Sequence, residues 1–226
     1  MPSRNVRKVY VKDSYYHIYN RGVEKRIIFQ DEQDYKVFLK YLKEQLSPLE
    51  EPRKLIKNFT LQGETFKGIP HLPKNFSKEI ELCCFALMPN HFHLLVKQLT
   101  NNGIEIFTRS ILTRYSMYFN KKYRRVGTLF QGTYKAVMIM DDPYFLHLSR
   151  YIHQNPSEYV SDLTTAYSSY ADYLGLRKTP WVKPEFILKF FNQASNDYLQ
   201  GTNTYKDFVE KYQKDSGEVL GKLVLE

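Results

Sequence analysis

The fold is decided by the segment IELCCFALMPNHFHLLVKQ, residues 80–98. Two strand-like runs, Ile80 to Met88 and His91 to Gln98, are separated only by Pro89-Asn90. This pattern predicts an antiparallel β-hairpin, although Pro-Asn is not among the favoured two-residue turns. Because side chains alternate along a strand, His91 and His93 share one face while Phe92 points to the other, toward the core.

The segments on either side of this hairpin are predicted to be further strands and helices. Strands are predicted at Val9–Asn20 and Thr133–Met140, and amphipathic helices at Asp31–Leu46 and Ile104–Tyr123. Asp142-Pro143 then predicts an N-cap followed by a first-turn proline, opening a third helix that ends near Asn155 because Pro156 follows.

The resulting order is strand, helix, strand, strand, helix, strand, helix. It predicts an α+β, ferredoxin-like (split βαβ) antiparallel sheet with helices on one face and one added helix. Residues 47–79 contain four prolines and are interpreted as an insertion in a domain spanning residues 1–175. Short helical segments at Pro184–Asn192 and Thr204–Gln213 predict a helical C-terminal appendage, residues 176–226.

Basic residues are concentrated in two segments of this 226-residue chain, whose net charge is +9. Residues 1–12 hold four cations and no acid, and residues 101–135 hold seven cations against Glu105 alone. Such clusters are typical of a polyanion partner, although a basic face kept for solubility is an equal alternative on charge alone. The 19 tyrosines and 15 phenylalanines offer stacking surfaces for unpaired bases, while most of them are expected in the core.

Several protein classes are excluded by composition. The longest apolar run, Leu82 to Met88, is far below the roughly 20 residues of a membrane span, and the N-terminal residues lack a signal-peptide core. The only cysteines, Cys83 and Cys84, are neighbours that are expected on opposite faces of a strand, which argues against a disulfide between them. We therefore expect a soluble cytoplasmic protein that does not enter a membrane.

Two groups of residues could carry chemistry. The His91-x-His93 pair can clamp a divalent metal, or the two histidines can simply be half-exposed. On the third helix, His147, Tyr151 and Asn155 form one stripe at four-residue spacing beside an apolar stripe. A tyrosine hydroxyl can be a covalent nucleophile, especially beside a metal, but Tyr151 could equally cover the core rim while Asn155 caps the helix.

Four strings together resemble a known family. YHIYNRG (16–22), ALMPNHFHLLVK (86–97), GTLFQGTYKAV (127–137) and RYIHQNP (150–156), in that order, resemble the REP-associated tyrosine transposases, a branch of the single-tyrosine HUH transposase superfamily. The resemblance implies that His91 and His93 bind a metal and that Tyr151 is the nucleophile. It also implies that Asn155 is a polar third metal ligand, whereas His147 has no firm counterpart.

The chemistry implied by this resemblance is DNA nicking and rejoining. The metal would be Mg²⁺ or Mn²⁺, and Tyr151 would form a covalent 5′-phosphotyrosine that a second 3′-hydroxyl can reverse. The implied partner is single-stranded DNA containing a REP-like hairpin, bound by a monomer or a homodimer. The candidate phosphate contacts, which follow the two basic segments and the first motif, are Arg4, Arg7, Lys8, Arg21, Arg109, Arg114, Lys121, Arg124, Arg125 and Lys135.

Two alternatives remain open from the sequence. The first is a non-catalytic single-stranded nucleic-acid-binding module on the same ferredoxin-like scaffold, since that fold hosts many functions. The second is a zinc-dependent hydrolase that uses His91 and His93 with Cys83 or Cys84.

Overall fold

The computed structural model describes residues 10–49, 55–70, 72–192, 199 and 202–211. The strands of these residues are β1 (Tyr15–Arg21), β2 (Lys57–Leu61), β3 (Glu64–Gly68), β4 (Ile80–Met88), β5 (His91–Gln98) and β6 (Lys135–Met138). Their helices are α1 (Glu32–Leu46), α2 (Gly103–Lys122), α3 (Asp142–Gln154), α4 (Tyr170–Tyr173), α5 (Glu185–Leu188) and α6 (Tyr205–Glu210). No helix in these ranges has both the length and the apolar character needed to cross a membrane.

The main sheet has the strand order β4-β5-β1-β6, and all of its neighbouring strands are antiparallel. Helix α1 follows β1 and helix α2 follows β5, so the chain has the ferredoxin-like connectivity. The predicted fold class is therefore confirmed. The predicted hairpin is also confirmed to the residue, because Met88 pairs with His91 and leaves only Pro89-Asn90 in the turn.

The two cysteines lie on one face of β4, which corrects the expectation that they face opposite ways. Leu82 pairs with Val96 but Cys84 pairs with Leu95, so the register shifts at a β-bulge that contains Cys83. A bulge inserts one extra residue and interrupts the alternation of side chains. Both thiols are therefore buried in the same core, and both are free.

The sheet is covered on both faces by two separate cores. Helices α1 and α2 pack on one face, where Phe38, Phe92 and Tyr115 are fully buried. Helix α3 packs on the other face, where Leu95 and Ile152 are buried. The prediction of helices on one face thus holds for α1 and α2, while the added helix covers the opposite face. His91 and His93 therefore face α3.

The C-terminal helices complete the second core and fasten α3 in place. The Arg150 side chain of α3 donates to the carbonyl of Phe208 at 2.9 Å, and Gln154 donates to the carbonyl of Val209 at 2.5 Å. Val182 forms a bridge to Leu82 of β4. Residues beyond 175 thus contact the sheet and α3 directly, and a domain boundary at 175/176 stays a prediction.

The predicted insertion at residues 47–79 lies mostly outside the two cores. Strands β2 and β3 form a separate two-stranded sheet in which Phe59 and Phe66 stack at 5.8 Å. Phe76 is the exception, because its ring is buried in the first core and its N–H donates to the carbonyl of Gln45 at 2.6 Å. The end of the insertion therefore anchors it against α1.

Candidate active site

The start of β5 places two histidines on the face that α3 covers. His91 lies opposite Arg21 of β1, and His93 lies opposite Tyr19. The two imidazole rings are 5.2 Å apart and nearly perpendicular. His93 has no exposed surface, whereas His91 is half-buried. The strand alternation read from the sequence therefore brings both rings to one place.

Helix α3 begins one residue earlier than its proline pattern predicted. The N-cap is Asp141, not Asp142, because the Asp141 carboxylate accepts the N–H of Tyr144 at 2.7 Å. A cap side chain bonds the third helical N–H, which leaves Pro143 at the second position, where no N–H is needed. The helix ends at Gln154, as Pro156 predicted.

The helix positions Tyr151 and Asn155 above the two histidines. Phe145, Leu148 and Ile152 of α3 are buried in the second core and fix the rotation of the helix. On the adjacent stripe, the half-buried Tyr151 ring meets the His93 ring edge-on, with centroids 5.4 Å apart at 82°. One turn later, the Asn155 Oδ1 lies 3.0 Å from His91 Nε2. The structure thus brings together all four residues that the resemblance implied.

The surroundings of His91 suit a cation. Its Nδ1 lies 2.6 Å from Asn90 Oδ1 and its Nε2 lies 3.0 Å from Asn155 Oδ1, so an amide oxygen faces each ring nitrogen. Both amide nitrogens point away, toward the carbonyls of Lys25 and Tyr151 at 3.4 Å. A neutral imidazole has only one N–H. The other ring nitrogen of His91 therefore has a lone pair that faces the lone pairs of an amide oxygen, and this contact is repulsive. A cation shared by His91 Nε2 and Asn155 Oδ1 removes that repulsion.

His93 offers a second donor atom. Its Nε2 is buried and has no hydrogen-bond partner within the described ranges. Its Nδ1 lies 2.8 Å from Nε2 of His17, another fully buried histidine on β1. Two imidazole nitrogens and one amide oxygen, with the two rings 5.2 Å apart, are therefore available to a divalent ion. The distance from His91 Nε2 to Asn155 Oδ1 is 3.0 Å. Two adjacent ligand atoms that each lie about 2.1 Å from an octahedral ion are separated by about the same distance.

The alternative of a zinc-dependent hydrolase finds no supporting ligand group in the part of the chain that the structure describes. No three His, Cys, Asp or Glu side chains there are arranged to hold a metal ion. Cys83 and Cys84 are fully buried in the second core, where burial raises the pKa of both thiols well above the usual value. Neither thiol joins His91 and His93 in a group of three such ligands within the described ranges.

Burial keeps the histidines of the site neutral. It lowers the pKa of His17 to about 3 and that of His93 well below its ordinary value, with the neighbouring imidazoles adding to the effect on His93. Burial also lowers the pKa of His91, although the hydrogen bond to Asn155 opposes this. Neutral imidazole is the form that binds metals.

Further aromatic side chains surround Tyr151. The Tyr19 ring lies 5.7 Å from the His93 ring, and Lys135 places its ammonium 5.5 Å from the centre of the Tyr19 ring. Tyr144, one turn before His147, is half-buried, and its hydroxyl has no hydrogen-bond partner within the described ranges. Burial raises the pKa of Tyr144 to about 12, and the phenols of Tyr19 and Tyr151 contribute to that shift.

The predicted phosphate contacts divide into separate groups. Arg21 and Lys135 border the site, since Arg21 lies opposite His91 and Lys135 lies opposite Tyr19. Helix α2, which carries Arg109, Arg114 and Lys121, packs on the other face of the sheet. Arg124 and Arg125 follow α2 in the loop that leads to β6. Farther along this loop, the N–H of Gln131 donates to the carbonyl of Arg21 at the end of β1. Arg4, Arg7 and Lys8 lie outside the described residues.

Two histidines have roles that the sequence did not assign. His147 is buried and its ring lies 5.4 Å from that of Phe208 on α6, so it contacts the C-terminal helix. His17 contacts His93 directly, and sequence reasoning missed it. Tyr15, His17 and Tyr19 alternate along β1 and therefore share one face. Because β1 pairs with β5 in this fold, that alternation could have predicted that His17 lies near His93.

Comparisons with known proteins match part of the chain to a family. Residues 64–155 match the family described as "Transposase IS200 like". No curated protein matches the chain in sequence. Among solved structures, a REP-associated tyrosine transposase bound to a REP hairpin is 13% identical, with a TM-score of 0.49, and the match covers 78% of this chain and 90% of that one. A candidate transposase from Deinococcus radiodurans R1 is 14% identical, with a TM-score of 0.38, covering 65% and 94%.

The family match contains the whole candidate site except β1. It includes both histidines of β5 and ends at Asn155, after Tyr151. The resemblance to transposases that the four motifs predicted is therefore confirmed, and the match supports a transposase function. His17 lies outside the matched residues.

Proposed function

Because residues 64–155 match the IS200-like transposases, we propose that this protein is a metal-dependent endonuclease and strand transferase for single-stranded DNA that contains a hairpin. One observation carries the proposal. Tyr151 on α3 and Asn155 at its C-cap meet His93 and His91 on β5, so the candidate nucleophile lies beside the candidate metal ligands. All four residues belong to one chain.

The proposed reaction is a transesterification at a DNA phosphodiester. The Tyr151 hydroxyl oxygen forms a bond to phosphorus, and the bond from phosphorus to the 3′-oxygen of the preceding nucleotide breaks. The phenol proton is released and the departing 3′-oxygen gains a proton, leaving a 5′-phosphotyrosine and a free 3′-hydroxyl. Since the number of ester bonds is unchanged, a second 3′-hydroxyl can reverse the step and join a new strand without ATP.

The donor atoms for a metal would be Nε2 of His91, Nε2 of His93 and Oδ1 of Asn155. A divalent ion bound there supplies charge neutralisation at the scissile phosphate and orients it for in-line attack. Imidazole nitrogens suit transition metals better than Mg²⁺, which prefers oxygen ligands. We therefore expect Mn²⁺ to bind more tightly than Mg²⁺.

The DNA strand would enter along β1 and β6. Arg21 and Lys135 border the site, and both offer positive charge for phosphates on either side of the scissile bond. The Tyr19 ring lies between Lys135 and His93 but is buried, so it offers no stacking surface for an unpaired base. Arg109, Arg114 and Lys121 face away from this path, because α2 packs on the opposite face of the sheet. Only a hairpin that wraps around the edge of the sheet could reach them.

The test is covalent capture of DNA. The full chain is incubated with a labelled single-stranded hairpin from the flanks of its own gene and Mn²⁺, and a labelled protein adduct is sought on a denaturing gel. The wild type should form the adduct, and EDTA should abolish it. Tyr151→Phe should form none, yet should bind the same hairpin in a mobility-shift assay.

The matched control is Tyr159→Phe, which removes a phenol just beyond α3 that is exposed to solvent. This variant should form adduct as the wild type does. If the wild type binds the hairpin but forms no adduct with either metal, the protein is a binding module instead. Adduct formation by Tyr151→Phe would move the nucleophile to another residue.

A further inference from the structure

His17 and His93 form a buried hydrogen-bonded pair. His17 Nε2 lies 2.8 Å from His93 Nδ1, and the two rings stack 5.0 Å apart at 21°. Neither residue has exposed surface. Leu95 pairs with His17 in the backbone register and Tyr19 pairs with His93, so the two histidines are diagonal neighbours on adjacent strands. The contact is therefore fixed by the sheet itself.

Only one proton can lie between these two nitrogens. In the first arrangement the shared proton is on His93 Nδ1, so His93 Nε2 has a lone pair and His17 has its proton on Nδ1. In the second arrangement the shared proton is on His17 Nε2, so His93 has its proton on Nε2 and His17 Nδ1 has a lone pair. Either arrangement leaves one donor and one acceptor unpaired, since His93 Nε2 and His17 Nδ1 have no partner in the part of the chain that the structure describes.

A bound cation distinguishes the two arrangements. A metal can bind His93 only through a lone pair on Nε2, and this requires the proton on Nδ1. In metal sites, the second ring nitrogen of a ligating histidine commonly donates to a neighbouring acceptor that fixes its tautomer and orientation. His17 Nε2 is the atom that occupies this place for His93.

We propose that His17 is a positioning residue that accepts the Nδ1 proton of His93 and so holds His93 Nε2 as a donor atom toward the divalent ion. The inference rests on the proposed function, because it assumes that a metal binds at His93. His17 does not touch the metal or the DNA. It acts through the orientation and the tautomer of His93.

The test separates an acceptor role from simple packing. His17→Leu fills a similar volume but offers no acceptor, while His17→Gln can place an amide oxygen near the position of Nε2. Tyr16→Phe is the matched control, because Tyr16 is buried on the opposite face of β1, and its hydroxyl accepts the N–H of Val11. Mn²⁺ affinity of each full-length variant is measured by titration with electron paramagnetic resonance, and thermal melts in EDTA verify that each is folded.

The acceptor role predicts a graded loss of metal affinity. His17→Leu should weaken Mn²⁺ binding about tenfold to a hundredfold, the usual cost of losing such a partner. His17→Gln should stay within about threefold of the wild type because the acceptor is restored. Tyr16→Phe should bind as the wild type does. A second readout is the long-range proton–nitrogen NMR spectrum with diamagnetic Mg²⁺, in which His93 should carry its proton on Nδ1.

Each other result overturns the proposal in a recognisable way. If His17→Leu binds Mn²⁺ as tightly as the wild type, or if His17→Gln is as weak as His17→Leu, His17 only packs. If His17→Leu does not fold, the NMR spectrum of the wild type decides, and a proton on His93 Nε2 refutes the role. If the wild type itself binds neither Mn²⁺ nor Mg²⁺, the metal in the proposed function fails, and this inference fails with it.

Discussion

Two buried polar centres lie on opposite sides of the sheet, and they differ in how completely they are hydrogen-bonded. Asp34 on α1 and the His17–His93 pair are all without exposed surface. The Asp34 carboxylate accepts bonds from Lys122 at 2.7 Å and from the N–H of Gln30 and the hydroxyls of Tyr118 and Tyr123 at 2.8 Å. The histidine pair leaves two ring nitrogens without partners within the described ranges.

This difference distinguishes a structural centre from a candidate binding centre. A buried polar group costs free energy unless it is hydrogen-bonded, so a satisfied group such as Asp34 needs no ligand to explain it. Burial alone would raise the pKa of Asp34, but the bonds from Lys122 and the two tyrosines lower it below its usual value. The unpaired Nε2 of His93 represents a cost in free energy that its own hydrogen bonds do not offset. We expect a ligand at this nitrogen to offset it.

The largest expected effect comes from His93→Leu. Loss of one metal ligand should lower the rate of covalent adduct formation on the order of a thousandfold, about 4 kcal/mol of transition-state stabilisation. The melting temperature should fall by about 2–4 °C, because the substitution removes the unsatisfied Nε2 of His93 but leaves His17 Nε2 without its hydrogen-bond partner. Adduct kinetics with Mn²⁺ and a thermal melt in EDTA measure the two effects. A variant that keeps its activity would show that the unpaired nitrogen of His93 has no ligand.

Asp34→Asn should lower the stability of the protein but leave metal binding unchanged, the reverse of His93→Leu. Removing the buried carboxylate leaves Lys122 with only the half-exposed Asp31 as a charge partner, which costs about 3 kcal/mol and lowers the melting temperature by about 6–12 °C. Mn²⁺ affinity of the folded protein should not change. Thermal melts and Mn²⁺ titration at low temperature check both statements.

The matched control for this variant is Asp31→Asn. Asp31 also pairs with Lys122 at 2.7 Å, but half of its side chain is exposed, and an asparagine preserves its N-cap of α1. Surface ion pairs contribute about 0–1 kcal/mol, so this variant should melt within about 4 °C of the wild type. Equal losses for the two variants would show that the burial of Asp34 does not set its contribution.

The fold was predictable from sequence where one physical signal dominated. Residues 80–98 alternate cleanly around a two-residue break, and the observed strands end where that pattern ends. The helix containing Tyr151 was bounded by Pro143 and Pro156, and its start was wrong by one residue because Asp141 and Asp142 are both good caps. The orientation of the Cys83 side chain could not be predicted from the sequence. It is set by a bulge, which depends on how β4 pairs with β5.

The sequence predicted which candidate residues would lie together but not what surrounds them. His91, His93, Tyr151 and Asn155 occur in short motifs whose spacing already places them on a strand face and a helix stripe. His17 lies 74 or more positions earlier in the chain, and only the strand order β5-β1 brings it to His93. The separation of the basic residues of α2 from Tyr151 likewise follows from packing on opposite faces, which charge counting cannot show.

The smallest expected effect is a difference in how the two centres respond to acid. Burial lowers the pKa of His17 to about 3, while an unfolded histidine titrates near 6.5. Since the depressed pKa means that the unfolded state binds the proton first, stability is complete above about pH 6.5 and is lost as the pH falls toward 3. Asp34 also has a lowered pKa, but its unfolded value is about 3.9, so its contribution is lost only below about pH 4.

Urea unfolding at pH 7 and pH 5 in EDTA therefore distinguishes the centres. His17 alone should account for about 2 kcal/mol of the stability that the wild type loses between these two values, because the unfolded chain gains a proton that the folded chain excludes. His17→Gln should lose about that much less over the same interval, whereas Asp34→Asn should lose as much as the wild type. If Asp34→Asn instead flattens the profile above pH 5, the acid sensitivity belongs to the carboxylate, and the histidine pair is not held neutral by burial.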